Sequence, residues 1–168
     1  HPYRRPVRLV RISGHLPSVH ERERERRLTS TIWTIGHGNR SFDDVERQLA
    51  AAGITMIVDV RVKPDDSRTP EFNRRRLEDL AAAAGIGYRW LGASLPGEAG
   101  ADAIGRIEDL ITLASVSPTV ILCRELEPGR CRRSTSIAPA IQERGMDVVH
   151  ILPDGSARRH EPPLPFDQ

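Results

Sequence analysis

From Thr31 onward, short apolar runs alternate with segments whose apolar residues recur every three to four positions. "TIWTIGH" reads as a strand ending at Gly36 and His37. "SFDDVERQLAAAG" reads as a helix: Ser41 is a good N-cap, Asp43 and Asp44 suit the positive first turn, Phe42, Val45 and Leu49 form one stripe, and Gly53 ends it. "TMIVDVR" predicts a buried second strand ending at Asp59 and Arg61, a helix follows from about Asn73 to Ala84 with Gly85 behind it, and "GYRWLG" predicts a third strand. The same pattern predicts a helix over "DAIGRIEDLITLAS", with Ile104, Ile107, Leu110 and Ile111 on one face, and then the strand "TVILC". "STSIAPAIQERG" predicts a helix limited or kinked at Pro139, and "DVVHIL" a fifth strand. Strands alternating with helices imply a parallel sheet covered on both sides. The expected fold is a three-layer α/β/α domain with a mainly parallel sheet of about five strands.

The flanks have a different texture. Residues 1–29 have almost no apolar stripe and predict a basic, disordered arm with at most a short solvated helix from His20 to Leu28. Residues 30–155 make up the expected domain, and residues 156–168, rich in proline, predict a tail that wraps the surface or stays loose. Charge divides the same way. Residues 1–30 hold eight Arg and three Glu, whereas residues 31–168 hold 17 Lys plus Arg against 20 Asp plus Glu. A basic arm of this kind can hold nucleic acid through its charge alone, although 24 of the 25 basic residues in the chain are Arg, which also fits a general compositional bias. At 168 residues and 38% apolar composition the chain suits a single core. No apolar run approaches the roughly 20 residues of a membrane span, two cysteines make no disulfide framework, and "VRLVRIS" is no secretory core. A cytoplasmic protein without membrane attachment is expected.

In open parallel sheets, ligands bind beyond the carboxyl ends of the strands. That places His37, Asn39 and Arg40, Asp59 and Arg61, and Cys123 and Glu125 at one end of the expected sheet. Cys131 stands before a predicted helix among Arg130, Arg132 and Arg133, and nearby cations favour thiolate over thiol. Cys123 ends an apolar run and also reads as a small core residue. Glu125 at the end of a buried strand is a candidate acid or base working with His37, or else an ion-pair partner of Arg61 or Arg133. Arg40, Arg61 and Arg133 can clamp anions, and Asn39 and Asn73 can read a base or sugar edge. A metal site is not expected, because close Cys pairs are lacking. A cysteine-phosphatase or rhodanese loop is disfavoured: Glu125 and Glu127 would repel an anion, and six residues separate Cys123 from Arg130, one more than phosphatases use. Tyr88, Trp90 and His150 read as core residues, and Asp154 with Gly155 as a turn.

"TIGHGNRSFDDVERQLAAAGITMIVDVR", "SRTPEFN", "CRELEPGRCRR" and "VVHILPDG" together resemble the family called domain of unknown function 488, over roughly residues 31–155. The resemblance implies a compact bacterial or archaeal α/β domain whose activity is unassigned. It places family motifs on Thr34, Ile35, Gly36, His37, Asn39 and Arg40, on Asp59, Val60 and Arg61, on Phe72 and Asn73, and on Cys123, Glu125, Pro128, Cys131 and Arg133. Relatives usually carry Ser where this chain has Gly38 and His where it has Arg132, and many are longer around "LGASLPGEAGADAIG". The reading is an enzyme or ligand-binding domain acting on a small anionic or nucleotide-like group. His37, Asp59, Glu125 and Cys131 are its catalytic candidates, and Asn39, Arg40, Arg61, Asn73, Cys123 and Arg133 its binding candidates. Nucleic-acid binding through the arm and cysteine-dependent rhodanese- or phosphatase-like chemistry are the alternatives. No cofactor, reaction or oligomeric state can be read from the residues.

Overall fold

The structure is a computed structural model and describes residues 16–92 and 101–162. Its elements run α1 (Val19–Thr29), β1 (Thr31–Gly36), α2 (Phe42–Ala51), β2 (Met56–Asp59), α3 (Arg74–Ala83), β3 (Gly87–Trp90), α4 (Ala101–Val116), β4 (Thr119–Cys123), α5 (Ala138–Gln142), β5 (Asp147–Ile151) and β6 (Ala157–Arg159). The sheet has six strands in the order β3-β2-β4-β1-β5-β6. The five expected strands run parallel to one another, with Gly36 opposite Cys123 and Asp59 opposite Leu122 at their carboxyl ends. The three-layer α/β reading holds.

Side-chain alternation along the strands feeds two cores, one on each face of the sheet. Phe42, Val45 and Leu49 of α2 and Leu77 and Ala81 of α3 pack against Ile35, Ile57, Val120 and Leu122. Ile107 and Leu110 of α4 and Ala138 and Ile141 of α5 pack against Ile32, Val58, Ile121, Cys123 and Val148. The side chain of Ile104, expected on the same stripe, lies outside the described residues, as do residues 93–100. β4 sits inside the sheet and is buried at every position, which explains its unbroken apolar run "TVILC". The chain runs from β1 outward to β2 and β3, then returns to β4 and crosses to β5. The direction therefore reverses at the seam between β1 and β4.

Three local features differ from expectation. A sixth strand forms within the predicted tail because Asp154 and Gly155, at φ +84°, reverse the chain and lay Ala157–Arg159 antiparallel along β5. Arg158 and Arg159 charge this edge, which discourages pairing with another chain. The helix of the arm runs from Val19 to Thr29 and is closed by a capping box, in which Ser18 Oγ accepts from Glu21 N at 3.2 Å and Ser18 N donates to Glu21 Oε2 at 2.6 Å. Residues 1–15 of the arm, on which the nucleic-acid expectation rests, and 163–168 of the tail lie outside the described residues. The predicted helix after β4 is shorter, and one π-type turn, Arg133–Ile137, precedes α5 with Ala138 N donating to Arg133 O. Pro139, near the start of α5, has no N–H to give to the carbonyl one α-turn back, so the preceding turn widens.

Candidate functional site

The two faces carry two separate polar clusters at the carboxyl ends of the strands. On the α2/α3 face, the buried Asp59 carboxylate takes a bidentate pair from Arg61, with Nε to Oδ1 at 2.8 Å and Nη2 to Oδ2 at 2.6 Å. It also accepts the Arg61 backbone N–H at 3.1 Å and the Tyr88 hydroxyl at 2.6 Å. The remaining Arg61 donors reach Pro64 O at 3.2 Å, Phe72 O at 2.7 Å and the His37 ring Nε2 at 3.2 Å. His37 completes the cluster. Its Nδ1 lies 2.8 Å from Gly38 O and its ring stacks on Phe72 with centroids 4.3 Å apart. Nδ1 thus donates and Nε2 accepts, which is the neutral imidazole. Burial and the Arg61 guanidinium lower its pKa to about 4. Burial and the Asp59 carboxylate push the Tyr88 phenol well up. Trp90 Nε1 donates to Arg61 O at 2.8 Å, and Arg74 lies over the Trp90 ring at 4.5 Å.

The loop after β4 crosses the seam. Its Glu125 carbonyl presses on Gly36, where an added Cβ would stand 1.8 Å from that oxygen and 2.8 Å from Arg133 Nη1, so only glycine fits. Two clefts flank the loop. One, of about 470 Å³, lies beside His37, Asn39, Asp66, Arg68 and Glu127. The other, of about 350 Å³, is lined by Lys63, Arg124, Arg130, Arg132, Cys123 and Cys131, with Glu125 at its rim. Arg124 Nη1 reaches Asp66 Oδ2 at 2.6 Å and Arg132 Nη2 reaches Val60 O at 3.0 Å, so both are tethered.

Cys123 is 4% exposed, and Cys131 is half-buried against the core cluster that contains it. Both cysteines line the same cleft, beside Arg132 and next to the buried Arg133. The Cys123 thiol, the Arg133 backbone and the Arg133 guanidinium hold the Cys131 pKa down at about 6, against the opposing effect of burial. The Cys131 thiol and burial push Cys123 well up. Arg133 itself is fully buried and donates Nη2 to Leu126 O at 2.8 Å, while its Nε and Nη1 have no hydrogen-bond partner.

Further along this face stand His150 and His160, with His150 Nε2 3.0 Å from His160 Nδ1 and His150 Nδ1 2.6 Å from Thr34 Oγ1. Burial, His160 and Arg133 lower the His150 pKa to about 4. Both histidines border a cavity of about 680 Å³ together with Ser134 and Thr135. The sequence reading assigned His150 to the core and did not weigh His160, because nothing in a proline-rich tail signals that it folds back along β5.

The remaining candidates scatter. Asn39 is exposed, and Arg40 bonds Gln48 Oε1 and Gly36 O, each at 2.6 Å. Asn73 Oδ1 accepts from Asp66 N at 2.7 Å and fixes the loop before α3. Glu125 requires a correction. Its side chain is exposed, because β4 ends at Cys123 and the chain then turns outward. Among the described residues it pairs with neither Arg61, which Asp59 takes, nor Arg133. No helix among the described residues is long and apolar enough to cross a membrane, and no group of three or more His, Cys, Asp or Glu there could hold a metal.

No curated protein and no solved structure matched this chain. The family described as Domain of unknown function DUF488 matches residues 41–105, a stretch that holds Asp59, Arg61, Phe72 and Asn73 and stops short of the cysteine motif. The resemblance seen in the motifs thus stands, and this chain carries a match to the family Domain of unknown function DUF488 over residues 41–105.

Proposed function

We propose that the basic cleft at the carboxyl ends of β2 and β4 is an active site, in which the Cys131 thiolate attacks a small anionic substrate. One observation carries this reading: a half-buried thiol, held near pKa 6 by a neighbouring S–H and a buried guanidinium, lines a cleft rimmed with cations. In this reading Cys131 is the nucleophile. Cys123 and Arg133 stabilise its thiolate, and Lys63, Arg124, Arg130 and Arg132 draw the anion in. His37, Asp59 and Arg61 act as positioning residues, since their hydrogen bonds point to one another and to nearby carbonyls. Glu125 at the rim disfavours substrates carrying a second negative group on that side.

Phosphatase- and rhodanese-type loops ring a cysteine with free amides. Here the Arg130 and Cys131 amides bond to Glu127 O at 3.4 Å and Pro128 O at 3.1 Å, and Cys123 is closed off in the core. That arrangement favours direct thiolate attack over anion cradling.

Alkylation by iodoacetate and by neutral iodoacetamide, followed by mass spectrometry from pH 4 to 10 on the protein and its Cys131→Ser variant, tests the reading. Reaction at Cys131 should rise with a midpoint near 6, against roughly 8.5 for a free thiol, and added salt should slow iodoacetate more than iodoacetamide. A midpoint above 8, or an equal salt effect on both reagents, would remove the proposal.

A further inference from the structure

The cavity of about 680 Å³ beside β5 and β6 shares no lining residue with the Cys131 cleft. Pro128 and Pro139 give it apolar walls, while Ser134, His150, Arg158 and His160 bring polar groups to it. A concave, mainly apolar space of this size with a few polar groups is the usual form of a small-molecule site.

The fold fixes the polar end of this cavity. His160 N donates to Val148 O at 2.8 Å and His160 O accepts from Gln142 Nε2 at 3.1 Å, so the residue is pinned on both sides. Its ring ends a chain that runs from Thr34 Oγ1 to His150 Nδ1 at 2.6 Å and from His150 Nε2 to His160 Nδ1 at 3.0 Å. His160 Nε2, the free end of the chain, has no hydrogen-bond partner, although the residue is only 8% exposed. Buried polar atoms are nearly always bonded, so an orphan on a residue that borders a cavity marks a place for a ligand atom. With the chain donating outward from Thr34, His160 Nε2 carries an N–H; with it donating inward, Nε2 is a lone pair that takes up a proton beside an anion. Charge selects the ligand. Burial lowers the His160 pKa, and burial, His160, Arg133 and Arg158 lower that of His150 to about 4, so both rings are neutral at pH 7 and the positive charge comes from arginine. Arg159 is paired with Asp147, whereas Arg158 has no ion-pair partner among the described residues. Glu161 is the one carboxylate bordering the cavity among the described residues, and it opposes a second negative group. A carboxylate carries one charge at pH 7, while a phosphate monoester carries close to two.

We propose that this cavity binds a small organic carboxylate, its apolar body against Pro128 and Pro139 and its charged end between Arg158 and His160. The site stands independently of any reaction at Cys131.

The test uses the full chain with nitrogen-labelled histidine and benzoate as the probe. Benzamide, benzylamine and phenyl phosphate serve as its neutral, cationic and more highly charged counterparts. Benzoate should move the ring-nitrogen resonances of His150 and His160 saturably, and at low salt it should bind roughly tenfold more tightly than benzamide, the size of one charge-assisted bond. Benzylamine and phenyl phosphate should both bind less tightly than benzoate. Arg158→Ala, which removes an exposed side chain, should bring benzoate and benzamide to equal affinity. His160→Gln, checked for folding by circular dichroism, should weaken benzoate by a similar factor. Benzoate that leaves both histidine resonances in place overturns the site. Equal affinity for benzoate and benzamide in the unaltered chain, or a preference that survives Arg158→Ala, overturns the assigned ligand class. Tighter binding of phenyl phosphate overturns it in favour of a phosphate ester.

Discussion

Two arginines, Arg61 and Arg133, lie buried on opposite faces of the same sheet, and their surroundings differ in kind. Arg61 has a bidentate carboxylate, two carbonyls and a neutral imidazole, so its donors are occupied within the protein. Arg133 has one carbonyl, two donor atoms without partners, and a pair of thiols nearby. A saturated buried ion pair holds strand ends in register, and its charges are spent on each other. A buried cation without a counterion leaves an electric field that neighbouring groups must answer, and here it acts with the Cys123 thiol to hold down the pKa of Cys131. The motif residues that looked alike in the sequence therefore divide into a saturated frame and, under the proposed function, a reactive centre.

The sharpest way to break this comparison is to remove one partner of the saturated pair. Asp59→Ala leaves Arg61 buried without a counterion and should cost about 3–5 kcal/mol in urea unfolding. A loss below about 1 kcal/mol, the level of an exposed pair, would mean that the cluster is not a structural frame.

Acid should affect both faces. His37 and His150 have pKa values lowered from the ordinary 6.5 to about 4 by burial and neighbouring arginine charge. The unfolded chain takes up protons at these residues as pH falls below 6.5, while the folded protein does not until about 4. Stability is therefore fully present above 6.5, falls through that window and levels off below it. Urea midpoints at pH 7, 5.5 and 4 should show the fall, and His150→Gln should reduce it while His37 retains its share. An unchanged pH dependence in that variant would show that His150 does not contribute.

The smallest expected effect on stability comes from the other arginine. Arg133→Met removes a buried cation that lacks a carboxylate and should cost about 1.5 kcal/mol or less, because relief of desolvation offsets the lost bond to Leu126. Its chemical effect should be larger: the alkylation midpoint of Cys131 should move up from about 6 toward the free-thiol value. A loss of stability as large as that of Asp59→Ala, with an unmoved midpoint, would erase the distinction between the two arginines.

Much of the fold was legible in the residue pattern. The run "TVILC" marks a strand buried on both faces, and Ser41 with Asp43 and Asp44 marks the start of α2, whose Ser41 Oγ accepts from Asp44 N at 3.2 Å. These signals are local, since capping, periodicity and turn preference act within a few residues. Collecting His37, Asp59, Arg61 and Cys123 at one end of the sheet also followed from the strand-helix alternation. Division of that set between two faces could not be read, because it depends on the direction in which each side chain leaves its strand end.

Tertiary structure decided the rest. Glu125, two residues past a buried strand, is exposed because Gly36 lets the following loop lie flat across the seam between β1 and β4. His160 reaches His150 because a sixth strand found a free edge on β5. Cys123 and Cys131 come to line one cleft because the intervening loop turns back under a buried arginine. The sequence by itself determined which segments are strands and helices, because short-range hydrogen bonding and burial periodicity are written in adjacent residues. Which polar groups meet, and which remain unsatisfied, was settled by the strand order β3-β2-β4-β1-β5-β6, since that order brings together residues far apart in the chain and no local preference encodes their contact.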